Sequence, residues 1–105
     1  MNSQYCIILC SCPDEATARD ISQTILEKHF AACIQYHQIT SMYHWKGSIA
    51  KENEYLLSIK TKKNNYAKIE SCIKQLHPYE IPEIIEIPII QGLPSYLQWI
   101  DDSSS

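Results

Sequence analysis

The sequence predicts an α+β fold ordered strand, helix, two strands, helix, strand, with a short closing helix. Apolar runs and period-two alternation mark four strand-like stretches, and apolar residues at helical spacing mark the segments between them. Trp45-Lys46-Gly47-Ser48 supplies a turn joining the two middle strands. At 105 residues, with 45% hydrophobic content, the chain reads as one ordered domain over 1–105 with a modest core.

Gln4 to Cys12 is a nearly continuous apolar run, as expected of a central strand covered on both faces. Pro13-Asp14-Glu15 then starts a helix, since proline suits its first position and acids favour the positive end of its dipole. Ala18, Ile21, Ile25 and Phe30 fall on one face of that helix, which should reach about His29. Ala31 to Tyr43 is rich in β-formers. In Glu54 to Thr61, Tyr55, Leu57, Ile59 and Thr61 share one face, and Ser58 and Lys60 the other. Together these segments make a hairpin with arms longer than the usual five or six residues, so the excess should pack on something outside the domain.

Asn64 or Asn65 can cap a second helix, on which Tyr66, Ile69, Ile73 and Leu76 form the apolar stripe with Cys72 beside it. Ile84 to Ile90 reads as the last strand, with Ile85, Ile87 and Ile89 on one face. Pro88 cannot donate to a ladder, so the strand belongs at an edge or carries a bulge. Leu93 to Ile100 closes the chain as a helix bearing Tyr96 and Trp99, and the polar tail 101–105 should fray. The order βαββαβ is the split βαβ, or ferredoxin-like, plan. That plan puts the second and fourth strands at the sheet edges, where they invite pairing with another subunit.

Composition narrows the function. With 9 basic and 12 acidic residues the net charge is −3, and Lys60, Lys62 and Lys63 are the nearest approach to a basic cluster, so no nucleic-acid partner is expected. The longest apolar run near the start, Tyr5 to Cys10, is far short of a membrane span. Met1-Asn2-Ser3-Gln4 carries no positive charge and makes a poor signal peptide. Five cysteines, an odd number, suit a reduced, cytoplasmic setting. Catalysis is not expected: the two glycines, Gly47 and Gly92, are far apart and build no oxyanion or phosphate loop.

His77-Pro78-Tyr79-Glu80-Ile81-Pro82-Glu83-Ile84-Ile85 is the densest concentration of functional groups. Each proline holds the residue before it extended, so His77 and Ile81 cannot wander. The plain reading is a stiff helix-to-strand connector; the functional one is a rigid mount for a histidine, a tyrosine and two carboxylates. Cys6, Cys10 and Cys12 share one strand face, with Cys10 and Cys12 about 6.6 Å apart at Cα and Cys6 about 13 Å from Cys10. Two sulfurs on one metal sit nearer about 4 Å, so Cys10 and Cys12 converge only if side chains tilt or the strand bends, and Cys6 cannot join them. No C-x-x-C is present.

The chain resembles the CutA family of divalent-cation tolerance proteins. The resemblance spans Tyr5 to Ile100 and rests on Cys12-Pro13-Asp14-Glu15-Ala16-Thr17-Ala18, Ala31-Ala32-Cys33-Ile34, Thr40-Ser41-Met42-Tyr43-His44-Trp45-Lys46-Gly47, Leu57-Ser58-Ile59-Lys60-Thr61, the His77 to Ile85 run and Tyr96-Leu97-Gln98-Trp99-Ile100. His44 departs mildly, standing where an aromatic is common. The resemblance implies a homotrimer of ferredoxin-like protomers whose long hairpin and sheet edges build the subunit contacts. It also implies copper binding and a part in the response to metal ions.

Matched residue by residue, the family's proposed metal-related groups fall on Cys10, Cys33, Cys72 and His77; Cys12 joins them as the neighbour of Cys10. Imidazole suits divalent copper and thiols favour the cuprous ion, so a weak copper site is expected, with His77 leading and Cys10 next. Buried thiols more often serve as small hydrophobes. The trimeric plan also resembles PII-type sensors, which bind small molecules between subunits. Tyr43, Trp45, Lys60, Tyr79 and Glu83 are the candidate lining of such a cleft, their plainer role being subunit packing.

Overall fold

The computed structural model describes residues 4–105. Residues 1–3, on which most of the signal-peptide reading bears, lie outside the described residues. Four strands form one antiparallel sheet: β1 (Tyr5–Cys12), β2 (Cys33–Trp45), β3 (Ser48–Lys62) and β4 (Ile85–Pro88), in the order β2-β3-β1-β4. Helix α1 (Glu15–Glu27) follows β1, α2 (Tyr66–Leu76) follows β3 through a 3₁₀ turn at Lys63–Asn65, and α3 (Pro94–Ser103) closes the chain. This is the ferredoxin-like arrangement, with β2 and β4 at the edges.

The core lies between one face of the sheet and helices α1 and α2. From β1 come Cys6, Ile8 and Cys10, from β3 Leu57 and Ile59, from α1 Ala18, Ile21 and Ile25, and from α2 Ile69 and Ile73. Strand alternation and helical spacing thus deliver the expected stripes, except that Leu76 is exposed at the end of α2. Pro13 stays outside α1: Asp14 is the cap, and its carboxylate accepts the Thr17 N–H at 2.8 Å, which holds that carboxyl below the usual range. The helix ends at Glu27, two residues short of His29, for a definite reason. His29 takes φ 59°, its N–H reaches Leu26 O and the Phe30 N–H reaches Ile25 O, the paired bonds of a Schellman end.

Three other expectations are corrected. Asn65 stands at the cap position of α2 but makes no cap bond; its amide instead donates to Ser105 O at 2.9 Å and Thr61 Oγ1 at 3.4 Å. The tail is docked rather than frayed. Besides that Asn65 bond, Ser105 N–H donates to His29 O at 2.7 Å, and Asp101 lies 3.6 Å from Lys62. Strand β4 is four residues long, not seven, although Ile89 N–H still reaches Tyr5 O. Pro88 has no N–H to extend the ladder, and it lies at an edge as proline requires.

The hairpin arms of 13 and 15 residues exceed the usual five or six as expected, and β3 begins at Ser48, ahead of the Glu54 start read from the sequence. Strand β1 pairs with β3 only from Tyr55 to Lys62, so Ser48 to Glu54 and their β2 partners project as a two-stranded ribbon. The ribbon turns on two residues, Lys46 at φ 49° and Gly47 at φ 80°, both left-handed as a type I′ turn demands. A side chain at Gly47 meets open space, so only backbone strain opposes it. Gly47→Ala should therefore lower stability by about 1–2 kcal/mol, whereas Lys46→Asn should leave it equal or slightly higher. Thermal melts check both; equal melting for Gly47→Ala and the parent would contradict the turn geometry.

Candidate functional site

Pro78 forbids helical backbone at His77, so α2 ends there with His77 extended and its N–H bonded to Ile73 O at 2.8 Å. The imidazole then turns onto the end of β1. Its Nε2 lies 2.7 Å from Ser11 O and its Nδ1 accepts the Tyr79 N–H at 3.1 Å. A carbonyl only accepts and an amide N–H only donates, so Nε2 carries the proton and the ring is the neutral tautomer with both nitrogens engaged. His77 is buried at 7% exposure, and its ring lies against Tyr79 with centroids 4.8 Å apart.

Beside it stand two thiols. Ligand atoms of Cys10, Cys12 and His77 all lie within 4.8 Å of one another, and all three residues are buried. The β1–β3 register runs unbroken from Tyr5↔Lys62 to Cys12↔Tyr55, so side-chain tilt, not a bulge, brings the sulfurs together. The contact with Cys12, and then burial, push the Cys10 thiol far above its usual range. As it stands, then, Cys10 is held as a thiol and His77 is hydrogen-bonded at both ring nitrogens. A metal entering it must displace thiol protons, and must free His77 from Ser11 or Tyr79 before using the ring.

The other cysteines are elsewhere. Cys33 lies opposite Lys60, on the sheet face away from α1 and α2. Cys72 is buried on α2 outside the cluster. Cys6 is also separate, its thiol pushed up to about 12 by burial and by Glu86. All five cysteines are unpaired.

On the far side of the His77 connector lies an open groove of about 900 Å³, between the base of the ribbon and residues 78–83. Tyr43, Trp45, Tyr79 and Glu83 line it; Lys60 does not. Lys60 sits at the other end of the sheet, its Nζ 2.6 Å from Gln35 Oε1 and 5.8 Å from the Tyr96 ring. The sequence reading missed the groove's acids, Glu52 and Glu54. Glu54 is 6% exposed and accepts the Tyr79 hydroxyl at 3.1 Å. Burial, and next the Glu54 carboxylate, push the Tyr79 phenol above its ordinary value; lost water contact and Glu52 do the same to Tyr43. Ser11 joins groove and cluster: its carbonyl holds His77, and its hydroxyl lies 3.5 Å from Glu83 Oε1. The missed signal was Glu52 and Glu54 two apart, on the strand face shared with Ser41 and Ile39.

A family model described as CutA1 divalent ion tolerance protein matches residues 6–103. Protein CutA homolog of Xenopus laevis is 41% identical over 93 residues, covering 88% of this chain and 62% of the relative, so the chain spans under two thirds of that longer protein. Divalent-cation tolerance protein CutA of Thermus thermophilus is 35% identical over 99 residues, covering 93% and 96%. Among solved structures, the stable protein CutA1 of the psychrotrophic bacterium Shewanella sp. SIB1 superposes with a TM-score of 0.95 at 37% identity, covering 99% and 98% of the two chains.

Proposed function

The chain belongs to the CutA1 divalent ion tolerance family, and we propose from that premise that it is a homotrimeric, non-catalytic metal-tolerance protein that binds copper at Cys10, Cys12 and His77. The observation that carries the reading is the convergence of two thiols and an imidazole within 4.8 Å in a buried pocket. Sulfurs bonded at about 2.3 Å to one ion stand about 4 Å apart, so this donor set fits a small soft ion with little movement. Two thiols favour cuprous over cupric ion. His77 completes the set only by releasing one of its hydrogen bonds, which makes it the weaker ligand. The same engagement argues against a cysteine nucleophile served by His77, because neither ring nitrogen is free to take a proton.

Five unpaired cysteines suit a reducing compartment, and the protein's place is then the cytoplasm. Among the described residues no helix is long and apolar enough to cross a membrane. A second role as a small-molecule sensor is supported by the groove that gathers Tyr43, Trp45, Tyr79 and Glu83.

Titration under reducing conditions against a chromophoric cuprous chelator tests the metal reading, with cupric, zinc and nickel ions by calorimetry alongside. One cuprous ion per chain is expected, lost in Cys10→Ser/Cys12→Ser and weakened but retained in His77→Ala. Affinity should rise with pH by about tenfold per unit for each thiol proton displaced. Binding unchanged in the double cysteine variant would remove the site from this cluster.

A further inference from the structure

We propose that residues 78–83 form a strap that the thiol–imidazole cluster releases: His77 can serve a metal beside Cys10 and Cys12 only by letting go of the Tyr79 amide, a bond that holds the strap down. This rests on the metal reading and gives that site a conformational output.

The strap is held by side chains, not by the sheet. The β1–β4 ladder ends at Leu9↔Ile85, and among the described residues no backbone–backbone hydrogen bond ties residues 78–84 to β1 or β3. Pro78 and Pro82 have no N–H to offer. The one large aliphatic side chain of the strap, Ile81, is 87% exposed and anchors nothing. The ties are instead three. The Tyr79 N–H donates to His77 Nδ1 at 3.1 Å, the Tyr79 hydroxyl donates to Glu54 Oε2 at 3.1 Å, and the Ser11 hydroxyl donates to Glu83 Oε1 at 3.5 Å. A segment without ladder bonds or buried aliphatic contacts belongs to the part of a fold that opens at low cost. Cys10 and Cys12, by contrast, are wholly buried on a paired strand.

The coupling follows from the tautomer. Nε2 carries the ring proton and donates it to Ser11 O at 2.7 Å, so the lone pair is on Nδ1, where the Tyr79 N–H uses it. A metal-bound histidine commonly donates its other N–H to a backbone carbonyl, and the Nε2–Ser11 bond already has that form. The nitrogen able to serve without moving a proton is therefore Nδ1, and the group it must release is the Tyr79 amide. Tyr79 then keeps only the Glu54 bond and the ring contact with His77, at 4.8 Å between centroids. Linkage makes the effect reciprocal: if metal favours the released strap, loosening the strap must favour metal by the same factor. A tie that touches neither thiol nor imidazole should thus restrain binding.

The test is residue-level amide hydrogen exchange of the native assembly under reducing conditions, without metal, with one equivalent of cuprous ion per chain, and with calcium ion as the comparison. The Tyr79 amide should be protected in the metal-free protein. Cuprous ion should speed its exchange about fivefold or more, the loss of one hydrogen bond, and leave Ile8 at the centre of β1 unchanged. Calcium should change neither. Tyr79→Phe keeps the ring and both imidazole bonds but removes the Glu54 tie. It should speed metal-free exchange at residue 79 by about threefold to tenfold and tighten cuprous binding, read by chelator competition, by a similar factor. Light scattering accompanies the variant, and Ser11→Ala, which removes the Glu83 tie, replaces it if the assembly mass changes. Cuprous binding that leaves the Tyr79 amide as protected as before overturns the strap and leaves the site standing. So does a loosened variant that binds cuprous ion no more tightly than the parent. No cuprous binding by the parent overturns both, and the chelator competition alone reveals it.

Discussion

His77→Ala should lower the stability of the metal-free protein by about 2–4 kcal/mol, on the order of 10–20 °C in melting temperature for a chain of this size. The imidazole ties the Ser11 carbonyl to the connector at 2.7 Å, and it also receives the Tyr79 N–H at 3.1 Å. Alanine leaves the Tyr79 N–H without this acceptor and the Ser11 carbonyl with only the weak Cys10 thiol contact at 3.9 Å, and it opens a cavity the size of a ring. The loss spreads further, because Tyr79 carries the hydroxyl held by Glu54. His77→Asn, with a shorter amide that offers one donor and one acceptor, should recover part of the loss. If instead His77 serves metal alone, the apo melting temperature will be unchanged in both variants and the variants will differ from the parent only when copper is present. That result would refute the connector lock.

The two roles weighed for the run from His77 to Ile85 thus separate by chemistry. The prolines made the rigidity of the connector legible, because their effect on backbone angles is local. The partner of His77 was not, since Ser11 lies 66 positions away and is reached only once β1 and α2 pack on the same sheet. Cys10 and Cys12 on one strand face followed from period two, but the approach of their sulfurs depends on tilts that no local pattern encodes. Glu54 escaped for a related reason. A glutamate alternating out of a strand face reads as solvated, and only the connector folding over the ribbon buries it. The tail shows the same limit from the other side: its polar composition argues for fraying, yet Asn65 and His29 supply the bonds that fix Ser105. Periodicity reports what each segment does alone; these contacts arise where segments distant in sequence meet.

Trp45→Ala should dissociate or weaken the proposed trimer. Beyond the reach of β1, Ser48 to Glu54 pair only with β2, and a two-stranded ribbon is marginal in water without a surface to pack on. Yet this ribbon carries Met42 at 67%, Trp45 at 59% and Ile49 at 68% exposure, more apolar surface than a free tip would be expected to show. The edge strand β4 adds Ile85 and Ile87, half-exposed on the face away from α1 and α2, next to an unpaired strand edge. Three copies that lay ribbon against edge would cover both at once, and a tryptophan at such a contact is the residue type that most often dominates its energy. Truncation to alanine should then cost about 2 kcal/mol or more per contact, roughly a thirtyfold loss in association at each. By light scattering at micromolar concentration the mass should fall from about three times the 12.1 kDa chain mass toward one, and the melting temperature should fall and become steeply dependent on protein concentration. A variant that keeps both the parent's mass and its melting temperature would place Trp45 outside the contact, leaving the exposed ribbon to be explained by the groove it borders.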